Sequence, residues 1–290
     1  MLHMDLAEFY ITNTCNLACK SCNRFNNMNM RGREDWPHTR GLYQEWSSMV
    51  TPGEISVLGG EPLMHPRIVE ILGDIRGFWP MSRMRVTTNG LLLDRVRDLR
   101  QCLDANDVWL DISCHNRQWR KGLIDKCQHL WQDKLQFRTH QDKHTKLIRF
   151  DGYLSGRRVC SVAMQAEHFH QNTINDPVEQ GPYDSDREKA HAVCDMKYCH
   201  TFWQGKLYKC GVTAALPELI RQNNMVRSRC TQKQIDLIER YRPTTVEQAR
   251  SMTQQQLDDV LLKSIEQCSL CPERYEFYNL DQKLSANYHL

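Results

Sequence analysis

The sequence predicts an α/β protein built on a parallel sheet or barrel. Three observations carry that expectation. β-prone runs alternate with helical periodicities through the first half of the chain, turns rich in glycine and asparagine close the strands, and 290 residues suffice for one large domain and a smaller one. Leu6 to Thr12 is apolar and stops at Asn13-Thr14. The loop beginning at Cys15 is therefore expected at a strand's carboxyl end, where α/β folds place their chemistry. Glu54 to Leu58 reads as a second strand running into Gly59-Gly60. Pro66 then opens a helix with Ile68, Ile71, Leu72 and Ile75 on one face, closed by Gly77. A third strand, Met84 to Thr87, ends in Thr88-Asn89-Gly90 and precedes a helix carrying Leu92, Val96, Leu99 and Leu103. A fourth, Val108 to Ser113, precedes one carrying Leu123, Ile124, Cys127, Leu130 and Trp131.

Beyond this the pattern loosens. Leu135 to Thr139 and Val159 to Ala163 are expected as further strands, and the polar stretch Gln171 to Lys189, with Pro177, Gly181 and Pro182, as a linker or lid. A short hairpin follows, His200 to Trp203 and Lys206 to Lys209 about Gln204-Gly205, and helical patterns near Pro217 to Gln222 and Thr245 to Ile265.

A formal charge of +3 on a chain with 25% charged residues is ordinary for a globular protein and gives no direct sign of nucleic acid. No apolar run approaches the roughly 20 residues that span a bilayer, and Met1 to Asp5 lacks the charged start of a secretion signal. A cytoplasmic protein without a membrane partner is expected. In a reducing compartment thirteen cysteines point to metal or cluster ligation rather than disulfides. Eight fall in two groups, 15/19/22 and 194/199/210/268/271. Cys102, Cys114, Cys127, Cys160 and Cys230 stand singly and are expected as core filler.

The C-x3-C-x2-C run of Cys15, Cys19 and Cys22 supplies three thiolates, one too few for a cubane [4Fe–4S] cluster, which leaves an iron open to a chelating ligand. Zinc is the rival, with His38 as a fourth ligand. Asn16 and Asn23 are expected to donate hydrogen bonds that shape the loop. By turn chemistry alone, Gly59-Gly60-Glu61-Pro62 and Thr88-Asn89-Gly90 are tight turns. Strand alternation sends Asp111, Ser113 and His115 to the interior and Cys114 to the helices. Phe169-His170, Tyr183 and His191 flank the linker, as surface polar residues or near a substrate cavity.

Cys15/Cys19/Cys22 followed by Gly59-Gly60-Glu61-Pro62 resembles the radical S-adenosylmethionine superfamily over residues 1 to about 165. The resemblance implies a partial (β/α)6 barrel, with the three cysteines on a [4Fe–4S] cluster. The open iron would be chelated by the methionyl amino and carboxylate groups of S-adenosylmethionine. Gly60 and Glu61, within the Gly59 to Pro62 turn, would meet the amino group; Thr87, Asn89 and Ser113 fall near the carboxylate or ribose. Many relatives carry an aromatic residue before the third cysteine; here it is Ser21, so adenine must be held otherwise. The implied reaction is reductive cleavage to a 5′-deoxyadenosyl radical that abstracts a substrate hydrogen atom, fed by a flavodoxin- or ferredoxin-type donor.

Cys194-x10-Gly205-x4-Cys210 with Cys268-x2-Cys271 is similar to the Twitch form of the SPASM-type auxiliary domain, over about 190 to 275. This implies a second [4Fe–4S] cluster on Cys194, Cys210, Cys268 and Cys271, with Cys199 the alternative to Cys194. A zinc ion held by four cysteines is the simpler reading. The expected organisation is a barrel over 1–170, a linker over 171–189 and an auxiliary domain over 190–290. The expected function is an oxidoreductase-type net oxidation or modification of a small molecule or peptide. With Cys15 so near the start, a peptide substrate would need a separate leader-binding partner. A zinc-stabilised, non-catalytic adaptor on the same barrel is the competing class.

Overall fold

The computed structural model describes residues 1–19, 22–143, 147–165 and 181–274, and the backbone of 169–170 and 277–278. Its hub is strand β1 (Leu2–Tyr10). β2 (Val50–Leu58), β3 (Arg83–Thr88) and β4 (Val108–Ser113) follow in parallel, reached through α1 (Trp36–Ser47), α2 (Ile68–Phe78) and α3 (Leu99–Ala105). After α4 (Arg120–Leu130) the chain makes an antiparallel detour through β5 (Gln136–Gln141) and β6 (Ile148–Leu154). β7 (Arg157–Ala163) then returns parallel to β4. A two-residue strand, β8 (Phe169–His170), pairs with residues 277–278. Past α5 (Arg187–Val193), β9 (His200–Trp203) lies parallel to β1 on its free edge and turns into β10 (Lys206–Tyr208). The sheet thus runs β10-β9-β1-β2-β3-β4-β7-β6-β5, with six mutually parallel strands at its centre, an α/β open barrel.

The two-residue strand period divides the sheet into two faces. Ala7, Phe9, Ile55, Val57, Met84, Val86, Leu110, Ile112 and Cys114 join the core under the helices, so Cys114 points to the helical layer as expected. Glu8, Leu58, Thr87 and Ser113 face the other way. The hairpin is locked to the barrel by aromatic packing. The Phe202 ring lies 5.0 Å from Phe9, 5.2 Å from Trp46 and 5.9 Å from Tyr43. Trp46 Nε1 donates to the Gly205 carbonyl at 2.9 Å, and the Gly205 N–H to the Tyr43 hydroxyl at 3.1 Å. Gln204 and Gly205 both take positive φ, 52° and 68°, as the expected two-residue turn requires.

α6 (Gly211–Gln222), α7 (Asn224–Arg227), α8 (Gln232–Arg240), α9 (Val246–Ala249) and α10 (Gln254–Leu262) complete the described chain. α6 covers the sheet face opposite α1 to α4, where Ala214 packs with Tyr10, Leu58 and Trp203.

Several expectations are corrected. β1 starts at Leu2 rather than Leu6, paired with Val50 from its first residue. The helix expected from Leu92 begins only at Leu99, because residues 91–98 form turns and Asp98 takes φ 58°. The pattern over Thr245 to Ile265 is two helices, broken where Thr253 caps the second. The helix expected near Pro217 starts six residues earlier, with the proline inside it. Of the polar stretch, 171–180 lies outside the described residues, while Tyr183 and Ser185 bond to Leu270 and Ser269 and α5 follows. Ser21 and the side chains of Phe169 and His170 also lie outside them. No helix among the described residues is long and apolar enough to cross a membrane.

Phe202 is wholly buried, so Phe202→Ala is expected to cost about 3–5 kcal/mol. Chemical denaturation checks this; a loss under about 1 kcal/mol would show that the hairpin is not anchored through this ring.

Candidate active site

The carboxyl ends of β1 to β4 converge on a cavity of about 290 Å³. Cys15, Cys19 and Cys22 line one side; Gly59, Gly60, Thr87, Asn89, Ser113 and His115 line the other. Residues far apart in sequence meet because each follows a parallel strand. The cysteine loop closes on itself through Cys22 N–H to the Cys19 carbonyl at 3.2 Å and Phe25 N–H to the Cys22 carbonyl at 3.0 Å. Asn26 Nδ2 ties it to the Asn13 carbonyl at 2.6 Å and the Tyr10 hydroxyl at 3.2 Å.

The glycine turn is pressed against the approach to Cys15. Gly60 N–H donates to the Thr12 carbonyl at 2.6 Å and Glu61 N–H to the Thr14 carbonyl at 2.8 Å. A Cβ on Gly59 would stand 2.7 Å from the Thr12 carbonyl oxygen, and one on Gly60 would collide with that of Thr14. Both positions therefore exclude larger residues.

Glu61 and Pro62 stand behind the cavity wall. The Glu61 carboxylate is fully buried and accepts from Leu63 N–H at 3.0 Å, the Thr88 hydroxyl at 2.6 Å and Asn89 N–H at 2.8 Å. It joins the turn after β2 to the end of β3. Asn89 Nδ2 extends the link to Asn16 Oδ1 at 2.7 Å. Asn16 thus accepts here rather than donating, and its own Nδ2 is buried with no partner among the described residues. Asn23 Nδ2 approaches Met196 Sδ at 3.2 Å. The Thr87 and Ser56 hydroxyls bond each other at 2.8 Å.

Burial pushes the Cys15, Cys19 and Cys22 thiols up from their ordinary pKa; the Glu61 carboxylate adds to this at Cys15 and the neighbouring thiols at all but Cys22. Bare thiolates are unfavourable there, so the set suits a cationic centre that supplies the missing charge. His38, offered as a zinc ligand, is exposed on α1. Among the described residues no three His, Cys, Asp or Glu side chains draw together as a site for a single metal ion. His115 faces the cavity as strand alternation predicts; burial lowers its pKa to about 4, leaving it neutral near pH 7.

A second, tighter cavity of about 30 Å³ gathers Cys194, Cys210, Cys268 and Cys271, with His191, Lys197 and Lys209 beside them. Cys194 follows α5, Cys210 caps α6, Cys268 lies within a 3-10 turn over Glu266–Leu270, and Cys271 closes that turn with its N–H on the Cys268 carbonyl at 3.1 Å. Cys199 is not among the lining residues and lies in the field of Glu8 and Arg24. Sequence reasoning missed Glu8, Arg24 and Asn26, which line the first cavity. The available signals were a lone acid in the apolar run Leu6 to Thr12 and an arginine two residues past the third cysteine.

No family model matches the chain. Over 113 residues it is 29% identical to a probable GTP 3′,8-cyclase of Methanocaldococcus jannaschii, covering 39% of this chain and 38% of that protein. Over 110 residues it is 32% identical to the GTP 3′,8-cyclase of Chlorobaculum tepidum, covering 37% of this chain and 33% of that one. The chain thus spans little more than a third of the length of the curated relatives it matches. Among solved structures, that of BtrN in complex with AdoMet and 2-DOIA is similar at 20% identity and a TM-score of 0.33, over 42% of this chain and 51% of that one. The cyclase relatives, and the meeting of cysteine run and glycine turn at one cavity, support the resemblance to the radical S-adenosylmethionine superfamily.

Burial raises the Glu61 carboxyl from 4.5 to about 7, against the pull of its three donors. Between those values the folded state holds a proton that the unfolded state has released, so this group's contribution to stability is full below pH 4.5 and lost as pH rises through 7. Glu61→Gln is expected to remove about 3 kcal/mol of that pH dependence. Denaturation of the apo-protein at pH 5 and 8 tests this; parallel losses in wild type and variant would contradict it.

Proposed function

We propose that this chain is a radical S-adenosylmethionine enzyme in which Cys15, Cys19 and Cys22 hold a [4Fe–4S] cluster with one iron open to the cofactor. One observation carries the reading: the three thiols line the same cavity as Gly59, Gly60, Thr87, Asn89 and Ser113. The chemistry supplied by the bound group is reductive cleavage to a 5′-deoxyadenosyl radical that takes a hydrogen atom from the substrate. The protein's part is to bind and orient. Gly60 and Glu61 have committed their N–H groups to Thr12 and Thr14. What this turn has left for the methionyl ammonium is carbonyl oxygen, an acceptor suited to it. Thr87, Asn89 and Ser113 line the same cavity, for the carboxylate and ribose. The barrel encloses the radical and limits its access to water and other hydrogen donors.

Cys194, Cys210, Cys268 and Cys271 are proposed as ligands of a second [4Fe–4S] cluster that accepts the electron left on the substrate, making the net reaction an oxidation of a small molecule or peptide. The cyclase relatives favour ring closure as the second reading. A gathered set of four thiols near the cavity favours oxidation, since it offers an electron acceptor.

Anaerobic reconstitution tests both parts. About eight irons per chain are expected, falling to about four in the Cys268→Ala/Cys271→Ala variant. With S-adenosylmethionine and dithionite, 5′-deoxyadenosine should form in both proteins and substrate oxidation only in the wild type. A colourless, zinc-loaded protein that releases no 5′-deoxyadenosine would refute the proposal.

A further inference from the structure

The segment after Cys22 is held to β1 by Arg24 and Asn26, and its apolar side chains dock on the scaffold of the second thiol site. Phe25, Met28 and Met30 pack against Leu216, Leu219 and Leu270, with Cys210 and Cys271 at the edge of that cluster. Arg24 lies between the two cavities and is only 4% exposed. Its Nη2 donates to the Glu8 carboxylate, which also accepts from the Thr201 hydroxyl at 3.2 Å, and its guanidinium carbon lies 5.5 Å from the Tyr10 ring centroid. Nη1 is buried and has no hydrogen-bond partner among the described residues. A Cβ built on Gly211 would fall on that nitrogen, so the guanidinium lies flush on the first residue of α6, next to Cys210.

A buried cationic donor lacking an acceptor is unfavourable unless an anionic group stands near it. The thiolates and sulfides of a cluster at Cys210 are such a group. We infer that Arg24 is a positioning residue that raises the reduction potential of the second thiol site by holding a fixed positive charge against the Cys210–Gly211 backbone. The inference rests on the proposal that this site carries an iron–sulfur cluster. Reduction adds one negative charge to the cluster, and a nearby cation in a low-dielectric setting favours the reduced form. Glu8, the partner of Arg24, works in the opposite direction. Lys197 and Lys209 also stand at the site; their Nζ atoms donate to the Ala192 carbonyl at 3.3 Å and the Leu261 carbonyl at 2.5 Å and are untouched by changes at Arg24. Gly211 is required because any side chain would displace the guanidinium.

The test is a redox titration, read by electron paramagnetic resonance, of the full-length reconstituted protein. A parallel titration in the Cys15→Ala/Cys19→Ala/Cys22→Ala background assigns the second cluster's signal. Arg24→Gln is expected to disfavour reduction of the second cluster about tenfold, a shift of ~59 mV to more negative potential for one electron. Gly211→Ala should shift it the same way with the arginine still present, Arg24→Lys should recover part of the change, and Glu8→Gln should shift it to more positive potential. If Arg24→Gln loses iron or fails to fold, the opposite-signed shift in Glu8→Gln still decides. Unchanged potentials, or shifts confined to the first cluster, would overturn the inference. A wild-type protein with no second redox signal would overturn the second-cluster proposal itself, and the inference with it.

Discussion

The site depends on a carboxylate buried without a cation beside it. Glu61 is satisfied by two backbone N–H groups and one hydroxyl, contributed by its own turn and by the end of β3. Carboxylates in such a setting resist ionisation, and the three donors recover only part of the lost hydration. The return is geometric. The turn after β2 and the end of β3 are fixed to one another, and Asn89 passes the constraint to Asn16 inside the cysteine loop. Gly60 and Glu61 complete the circuit through Thr12 and Thr14. Three loops that would move separately are held as one wall, which is what orientation of a cofactor demands.

A second constraint joins this wall to the rest of the chain. The sheet does not end at β1, because β9 extends it and brings the thiols after α5 and β10 to the inner face beside the cavity. The loop after Cys22 is held between barrel and α6, with Phe25 in the left-handed region at φ 58° and fully buried. Such a conformation persists where surrounding packing over-determines it. The two thiol sites are thus coupled mechanically through the few residues that follow Cys22, among which Arg24 carries a buried charge.

What the sequence disclosed was local. The Gly59-Gly60 turn, the order of the first strands and helices and the Gln204-Gly205 hairpin each depend on neighbouring residues and follow the expected order, though several element bounds differ. The inward course of Ser113 and His115 followed from strand period alone. What stayed hidden was set by distant partners. β6 sends Phe150 and Leu154 to the core, but Gly152 interrupts that stripe and its other face carries Arg149 and Asp151, with Asp111 accepting from Arg149 at 2.9 Å. The Leu92 to Leu103 periodicity looked continuous, but burial of Leu92 and Leu93 in the core is achieved by turns. The orientation of Glu61 is decided by Thr88 and Asn89, and no spacing rule places Arg24 on Gly211 across such a span of chain. Cys194, preferred over Cys199 on the position of Gly205, lines the second cavity with Cys210, Cys268 and Cys271, and Cys199 does not.

The most direct test of an open coordination position at the first thiol set is frozen-solution electron paramagnetic resonance of the dithionite-reduced protein carrying Cys268→Ala and Cys271→Ala, with and without S-adenosylmethionine. A single reduced-cluster signal whose g-values shift on adding the cofactor is expected, because the ligand enters the cluster's own coordination sphere. A signal indifferent to the cofactor, or no cluster signal in a protein that retains its metal, would contradict the assignment of Cys15, Cys19 and Cys22.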